Sequence, residues 1–358
     1  MQAEELSYVI VTPHSMRKSR TGGIVSRLIS RTGLDLVGGR MFAPGEELVR
    51  RYTDGIVTAK DPGHRATQEL IRDYVRKNFT GERNGQHPRV LLLVFRGPDA
   101  IEKIRHVVGH IVHERTSGET IRDTYGDYIT DEAGKVTYFE PGVLASLDAE
   151  SVEENLKLWA EFSESDGGVL DDVISYPAEA KVEKSLVLIK PDNFKFPNIR
   201  PGGVIEVFSR TGLSIIGFKV HRMSVAQAEE FYGPVLAVLK EKLGAEKGRE
   251  AWEDIVEFMS GGRPSATSDE QRSEPGTEKC IAIVYQGEDA VRKIRDVLGP
   301  TDPSKAPPGS IRKEFGQTIM INAAHASDSA ENARREMEIV QVRENNLKPL
   351  IENFYARR

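Results

Sequence analysis

The chain has 358 residues, of which 39% are hydrophobic, enough for the cores of two or three ordinary domains. It carries 49 Lys and Arg against 55 Asp and Glu, a net charge of −6, with no long basic run, so nothing indicates binding to nucleic acid or a membrane surface. No secretory signal is apparent, and no apolar stretch approaches the roughly 20 residues of a membrane span. A lone cysteine, Cys280, excludes an internal disulfide, and we expect a cytoplasmic protein.

The two halves of the chain repeat each other at a spacing of about 180 residues. That spacing is far longer than a solenoid repeat and indicates a domain duplication. In each half an apolar run stops at a proline, and a Ser-Arg-Thr-Gly-Leu sequence then closes a helix with glycine. The matched segments are 6–13 with 185–191, 30–34 with 209–213, and 97–105 with 287–295.

The second half predicts alternating strands and helices. In chain order these are strand 185–190, helix 203–210, strand 213–221, helix 225–242, helix 249–259, strand 280–285, helix 288–297, a Pro-rich loop, strand 317–321 and a helix from 329. Apolar runs such as residues 213–218 are typical of sheet strands covered by helices. The pattern therefore predicts an α+β sandwich.

Composition also suggests the domain boundaries. A Ser-, Gly- and Asp-rich stretch beginning at residue 163 is typical of a linker. The apolar residues after 346 have helical spacing and predict a helix that packs across the body or onto a partner. The predicted organisation is a first domain at 1–162, a linker at 163–183, a second domain at 184–340 and a helical tail at 341–358.

One histidine stands directly before a strong helix-start signal. Asp328 can cap this helix, with Glu331 three residues later as its capping-box partner. The free N–H groups and positive dipole end of such a helix would lie near His325 and favour an anion there. A lone histidine in this position is nevertheless more often a surface or capping residue.

The second half of the chain contains further motifs that favour a functional role for this histidine. These motifs are, in chain order, Lys190-Pro191-Asp192, residues 298–303, residues 308–312 and residues 322–329, and thirteen residues separate Arg312 from His325. Together they resemble nucleoside diphosphate kinases from about residue 184 to 340. The resemblance implies two tandem ferredoxin-like α/β sandwich domains of nucleoside diphosphate kinase type.

This resemblance also implies a chemistry. A nucleoside triphosphate phosphorylates the histidine, the diphosphate leaves, and an acceptor diphosphate takes the phosphoryl group. Fixed cations and donors meet the charge on the transferring group. Mg²⁺ would bridge the nucleotide's own oxygens, so the protein needs no metal cage.

The implied site draws on distant parts of the chain. The implied catalytic residues are His325, Glu336, Lys190 and Tyr232. The implied ribose and phosphate contacts are Lys190, Asn322, Arg295, Thr301 and Arg312. Trp252 could stack on the base with Ile255 and Ile319 as apolar partners, although a core position suits Trp252 equally well. An insertion at 263–276 is polar, and we expect it to be mobile.

Each of these residues also has a plainer interpretation. Charged residues on a surface mostly contribute under about 1 kcal/mol to the stability of the fold and have no further function. Their joint occurrence in family order favours a working site. The alternative is a non-catalytic nucleotide-binding or assembly protein, and a histidine-phosphate donor to other proteins is a third possibility.

The first half lacks key members of the set. Thr12 stands where the second half has Lys190, and Leu144 stands opposite His325. A leucine cannot carry phosphate, so we interpret this half as a degenerate copy without transfer activity. Because relatives usually assemble as hexamers built from dimers, we expect a homo-oligomer in which three tandem chains imitate a hexamer.

Overall fold

A computed structural model describes residues 3–58, 64–82, 85–111, 118–146 and 148–357. The chain forms two compact units, one comprising Met1–Glu179 with Arg343–Arg358 and the other Ala180–Val342. Among the described residues, no helix has both the length and the apolar character needed to cross a membrane.

The first unit contains a four-stranded and a two-stranded sheet. Its elements are β1 Glu4–Val11, α1 Pro13–Arg17, α2 Thr21–Thr32, β2 Asp35–Phe42, α3 Glu46–Asp54, α4 Arg65–Asn78, β3 Val90–Pro98, α5 Ala100–Val108, α6 Ile121–Tyr125, β4 Asp127–Thr130, β5 Val136–Glu140, β6 Val143–Leu144, α7 Ala149–Glu161 and, from the end of the chain, α14 Leu347–Ala356. The larger sheet has the order β2-β3-β1-β6, and β4 and β5 form a separate hairpin.

The second unit repeats this plan with a longer helical connection. Its elements are β7 Val182–Ile189, α8 Arg200–Ser209, β8 Ser214–His221, α9 Val225–Leu243, α10 Ala245–Ser260, β9 Cys280–Glu288, α11 Ala290–Leu298, α12 Ile311–Phe315, β10 Ala324–Ala326 and α13 Ala330–Ile339, with short 3₁₀ turns at Pro191–Asn193, Pro264–Ala266 and Pro303–Lys305. The sheet order is β8-β9-β7-β10.

All strand pairs in both units are antiparallel. Counted along each unit, the four main strands lie in the order 2-3-1-4, which is the ferredoxin-like arrangement. The α+β class and the ferredoxin-like fold expected from the sequence are confirmed. The two central strands of each sheet bury nearly every residue and form the core.

The stretch predicted as a linker begins within the first unit. The buried Arg40 donates from Nε to the carbonyl of Ser163, and the amide of Gly168 donates to the carbonyl of Met41. The predicted tail is also part of this unit, because α14 packs on α7 and β2 and buries Leu347 in the core. Long-range packing, which composition does not encode, sets these boundaries.

Two local predictions for the second unit are wrong. Residues 317–321 form a tight turn rather than a strand, because the amides of Gln317 and Thr318 both donate to the carbonyl of Ile321. The fourth strand is β10, three residues further on, and it contains His325. The cap of α13 is Ser329 rather than Asp328, since the Ser329 hydroxyl accepts from the Asn332 amide.

The insertion at 263–276 also differs from the mobile loop expected. It includes the 3₁₀ turn Pro264–Ala266, and the amide of Ala226 at the start of α9 donates to the carbonyl of Arg272 at 2.9 Å. Its last residue, Gly276, donates to the carbonyl of Met223 at 3.1 Å. These backbone bonds join the insertion to the rest of the unit.

Candidate functional site

The candidate site begins at His325 on the edge strand of the second sheet. In β10 this residue pairs with Leu188 of β7, and 24% of its side chain is exposed. Its Nε2 lies 2.9 Å from Oε2 of Glu336, which α13 carries and which is 5% exposed. Because an ionised carboxylate only accepts, Nε2 is the donor in this contact, and in the neutral tautomer that the contact selects Nδ1 keeps its lone pair. Among the described residues, none hydrogen-bonds to Nδ1.

The carboxylate that holds the imidazole is itself fixed. The hydroxyl of Ser327 donates to Oε2 of Glu336 at 2.6 Å, and both side chains are buried. The two donors therefore converge on one oxygen, which orients the carboxylate toward His325. This chain of contacts fixes the orientation of the imidazole, with Nδ1 turned away from Glu336.

Two aromatic side chains of α9 pack against the imidazole. The ring centroid of Phe231 is 4.9 Å from that of His325, and the centroid of Tyr232 is 6.3 Å away, both in edge orientations. Burial raises the pKa of Tyr232, with a further contribution from Glu336. The Tyr232 hydroxyl is buried and has no hydrogen-bond partner among the described residues, so its proton is a donor that the protein leaves unused.

A buried ammonium lies at the end of β7. Lys190 is 6% exposed, and its Nζ donates to the carbonyl of Met320 at 2.5 Å and to Oδ1 of Asn322 at 3.0 Å. Burial lowers the pKa of Lys190 to about 8, although Asp192 opposes this change. The ring of Phe258 lies 5.0 Å from Nζ, a cation–π contact.

The amide of Asn322 ties this lysine to a neighbouring loop. Its Nδ2 donates to the carbonyl of Ile319 at 2.7 Å and to that of Thr301 at 3.2 Å. The side chain of Thr301 is exposed at the same loop. Lys190, Asn322 and Thr301, which are far apart in sequence, are therefore brought together.

Two arginines add positive charge beside the histidine strand. Arg312 is 9% exposed and donates to the carbonyls of Gly299 at 3.0 Å and Ala324 at 3.2 Å. Its buried Nε has no partner among the described residues. Burial lowers the pKa of Arg312 to about 10, and the nearby Arg295 lowers it further. Two guanidinium groups that repel each other leave a position where an anion would be stabilising.

The structure corrects the expectation for Trp252. This side chain is 7% exposed, and its Nε1 donates to the carbonyl of Tyr232 at 3.0 Å, so it joins α10 to α9 and offers no face to a base. Ile255 is half-buried on α10, whereas Ile319 is 63% exposed on the turn before β10. These two therefore have some surface available to a ligand.

Sequence reasoning missed two aromatic members of the site, Phe231 and Phe258. Phe258 follows Ile255 by three residues and shares its helix face, whereas the adjacent Phe231 and Tyr232 do not share a face, so helical spacing alone selects neither phenylalanine as a site residue. Neither has a charged or nucleophilic group that would draw attention in a sequence. Their importance comes from what they touch, which is the imidazole and the ammonium.

The first unit keeps the framework of this site without its chemistry. Leu144 pairs with Ile10 in the register that His325 has with Leu188. Arg122 donates to the carbonyls of Gly109 and Val143, as Arg312 does to their counterparts.

A carboxylate of the protein occupies the corresponding place in this unit. Glu140, which is 3% exposed, accepts from the hydroxyls of Thr12 at 2.8 Å and Tyr74 at 2.6 Å and from the amide of Gly142 at 2.9 Å. Thr12 is the counterpart of Lys190, so an internal anion takes the place beside the end of β1.

The fold and site of the second unit suit a phosphotransferase with a histidine nucleophile. The family model described as "Nucleoside diphosphate kinase" matches residues 183–345. Nucleoside diphosphate kinase 2 of Protochlamydia amoebophila is 36% identical over 157 residues, 44% of this chain and 90% of the relative. The nucleoside diphosphate kinase of Wolinella succinogenes is 38% identical over 156 residues, 44% of this chain and 93% of the relative.

The identities and coverage of these two relatives show that the chain belongs to the nucleoside diphosphate kinase family. Among solved structures, the Aquifex aeolicus nucleoside diphosphate kinase is 31% identical, with 47% of this chain and 98% of that chain covered and a TM-score of 0.34.

Proposed function

We propose that the second unit transfers the γ-phosphoryl group of a nucleoside triphosphate to a nucleoside diphosphate through a phosphohistidine on His325. The chain is a nucleoside diphosphate kinase, a phosphotransferase. The observation that carries the choice of nucleophile is the 2.9 Å hydrogen bond between Nε2 of His325 and the buried Glu336. This bond leaves Nδ1 as the nitrogen able to attack.

In the first half-reaction, Nδ1 attacks the γ-phosphorus of the donor. A nitrogen–phosphorus bond forms, the bond from phosphorus to the bridging oxygen breaks, and the nucleoside diphosphate leaves with that oxygen. Glu336 keeps the proton on Nε2 and offsets the positive charge of the phosphorylated ring. The second half-reaction reverses these steps with another diphosphate as acceptor.

The charges near His325 support this chemistry. Arg312 and Arg295 can meet the negative charge of the phosphates, and Lys190 adds an ammonium that Asn322 and Phe258 hold in place. The Tyr232 hydroxyl can donate to a phosphoryl oxygen as it moves. Hydrogen bonds hold Lys190 and Arg312 in place before the substrate arrives, which lowers the cost of reorganisation.

We propose that Mg²⁺ enters as part of the nucleotide substrate. Within the described ranges, no three His, Cys, Asp or Glu side chains cluster so as to hold a metal ion. Apart from Glu336, whose Oε2 is bound by His325 and Ser327, the groups proposed to face the nucleotide are cations and neutral donors, which fits phosphate oxygens rather than a free divalent ion. The phosphate oxygens would therefore hold the ion, which neutralises part of their charge.

We propose broad tolerance for the base. The surfaces available beside the site are the half-buried Ile255 and Phe258 and the exposed Ile319. Apolar contacts discriminate weakly between bases of similar size, whereas hydrogen bonds to ring atoms discriminate strongly. Ribose and phosphate contacts would thus supply most of the affinity.

Labelling with γ-labelled ATP tests the proposal. The protein should acquire an acid-labile, base-stable label that His325→Gln abolishes, and added nucleoside diphosphate should remove the label as new triphosphate. A non-catalytic nucleotide-binding protein would stay unlabelled. A phosphate donor to other proteins would label, but no new triphosphate would appear.

We also propose that the chain assembles as a homo-oligomer of three tandem chains and acts in the cytoplasm. The duplication motivates the first proposal, and a monomer mass in solution would contradict it. The buried lone Cys280 suits a reducing compartment. Fractionation of cells would test the second.

A further inference from the structure

The insertion at 263–276 contacts both helices of the hairpin that covers the site. On α10 its partner residues are acidic. Nη1 of Arg263 lies 2.7 Å from Oδ1 of Asp254 and 2.8 Å from Oε2 of Glu257. Nε of the same arginine lies 3.3 Å from Oε2 of Glu253. One guanidinium therefore joins three carboxylates on successive turns of a single helix.

A second arginine of the insertion reaches the other helix. Nη1 of Arg272 lies 2.5 Å from Oε2 of Glu229 on α9, and Nη2 donates to the carbonyl of Pro264 at 2.9 Å. The amide of Ala226, in the first turn of α9, donates to the carbonyl of Arg272. The insertion thus holds α9 with one arginine and α10 with the other.

The contact with α10 is partly desolvated. Glu253 is only 6% exposed, and it accepts from the hydroxyl of Ser265 at 2.7 Å while Arg249 lies 3.3 Å away. These partners, Ser265 first, keep the pKa of Glu253 below its usual range. A buried carboxylate held by several donors is costly to leave unpaired, so this end of the insertion resists displacement.

The same hairpin carries the aromatic contacts of the site. Phe231 of α9 packs 4.9 Å from His325, and Phe258 of α10 lies 5.0 Å from Nζ of Lys190. Each of these aromatic residues lies within two positions of an acidic partner of the insertion's arginines. A shift of either helix would therefore move a ring that touches the nucleophile or the ammonium.

We propose that Arg263 and Arg272 form a brace that holds the α9–α10 hairpin against the site and thereby sets the affinity for nucleotides. Both are positioning residues, because they act through Phe231 and Phe258 rather than on the substrate. The inference rests on the proposed function of His325. The ligand class it concerns is the nucleoside di- and triphosphates.

Charge-swapped variants of the full chain test the brace. Arg272→Glu and Glu229→Arg should each raise KM for ATP and for a nucleoside diphosphate by about threefold to tenfold, with kcat within about twofold of wild type. The double variant should return both KM values to within about twofold of wild type, since it restores the ion pair in reverse. Arg263→Ala should raise KM in the same way.

Salt gives a second measurement. The ratio of variant to wild-type KM should fall toward one as ionic strength rises, because salt screens partly exposed ion pairs. Arg50→Ala is the matched control, because it removes ion pairs with Glu47 and Asp54 from α3 of the first unit. Its KM values should equal those of wild type.

Two results would overturn the brace. One is an unchanged KM in the single variants with only a lower melting temperature, which a merely structural role would produce. The other is a double variant whose KM is no better than that of either single change. If the wild-type protein neither exchanges phosphate nor labels His325, the proposed function itself fails, and this outcome is distinct from an active enzyme with unaffected variants.

Discussion

The contact between Glu336 and His325 predicts a measurable loss on changing one atom. Glu336→Gln keeps the shape of the side chain and an oxygen that can accept from Nε2, but it removes the negative charge. A charge-assisted hydrogen bond is worth about 1.5–3 kcal/mol and a neutral one about 1 kcal/mol. The difference, roughly 0.5–2 kcal/mol, falls on the step in which the ring becomes positively charged.

Each 1.4 kcal/mol is about tenfold in rate, so phosphorylation of His325 in Glu336→Gln should slow by roughly two- to thirtyfold. Rapid-quench measurement of the labelled protein in a single turnover gives this rate directly. The bond from Ser327 at 2.6 Å orients the same carboxylate, so Ser327→Ala should slow the step by a smaller factor. Circular dichroism should confirm that both variants fold.

Glu331→Gln is the control for charge alone. This residue lies in the first turn of the same helix, α13, but its side chain is exposed, and Glu336 rather than Glu331 accepts from Nε2 of His325. Its phosphorylation rate should stay within about twofold of wild type. A wild-type rate in Glu336→Gln, or equal slowing in both variants, would refute the role given to Glu336.

Three further predictions concern the buried groups. With a pKa of about 8, Lys190 loses its charge as pH rises through that value, so kcat/KM for ATP should fall above pH 8, and Lys190→Arg should flatten the profile. Between pH 8 and about 10.4 the unfolded chain holds more protons at this residue than the folded one, so this group makes the protein more stable to urea as pH rises. Trp252→Phe should lower the free energy of unfolding by about 1–2 kcal/mol, because it removes the hydrogen bond to the carbonyl of Tyr232. The preference of the enzyme for one base over another should stay unchanged. A changed base preference without destabilisation would contradict the buried position of Trp252. Calorimetric titration with ADP should give one binding site per chain, because Glu140 fills the corresponding place in the first unit, and two equal sites would contradict this. In urea unfolding, Glu140→Gln should destabilise the first unit by about 1–3 kcal/mol.

Much of the candidate site could be predicted from residue identity. Lys190, Arg312 and His325 differ from their surroundings by chemistry, and their order and spacing match a known family. Chain topology then brings them together, because β7 and β10 are neighbours in a sheet whose order follows from the fold. The site residues that could not be predicted, Phe231 and Phe258, have ordinary identities and acquire a role only through packing.

Local structure was harder to predict where two interpretations had similar propensities. Residues 317–321, of which the last three are apolar, suit a strand, yet hydrogen bonds to the carbonyl of Ile321 close them into a turn, and the short strand forms around His325. Trp252 suits either a core or a stacking surface. The hydrogen bond from Nε1 of Trp252 to the carbonyl of Tyr232, twenty residues earlier, holds the side chain in the core.

The sequence by itself determined the family, the ferredoxin-like fold and the duplication, because these depend on which residues occur and in what order. It also determined that the first copy has no counterpart of His325 or Lys190. Only the tertiary structure decided that α14 joins the first unit, that Glu140 fills the place beside Thr12, and that the insertion at 263–276 holds two helices. Such contacts join residues that are distant in sequence, and their free energy depends on burial and geometry that no local pattern records.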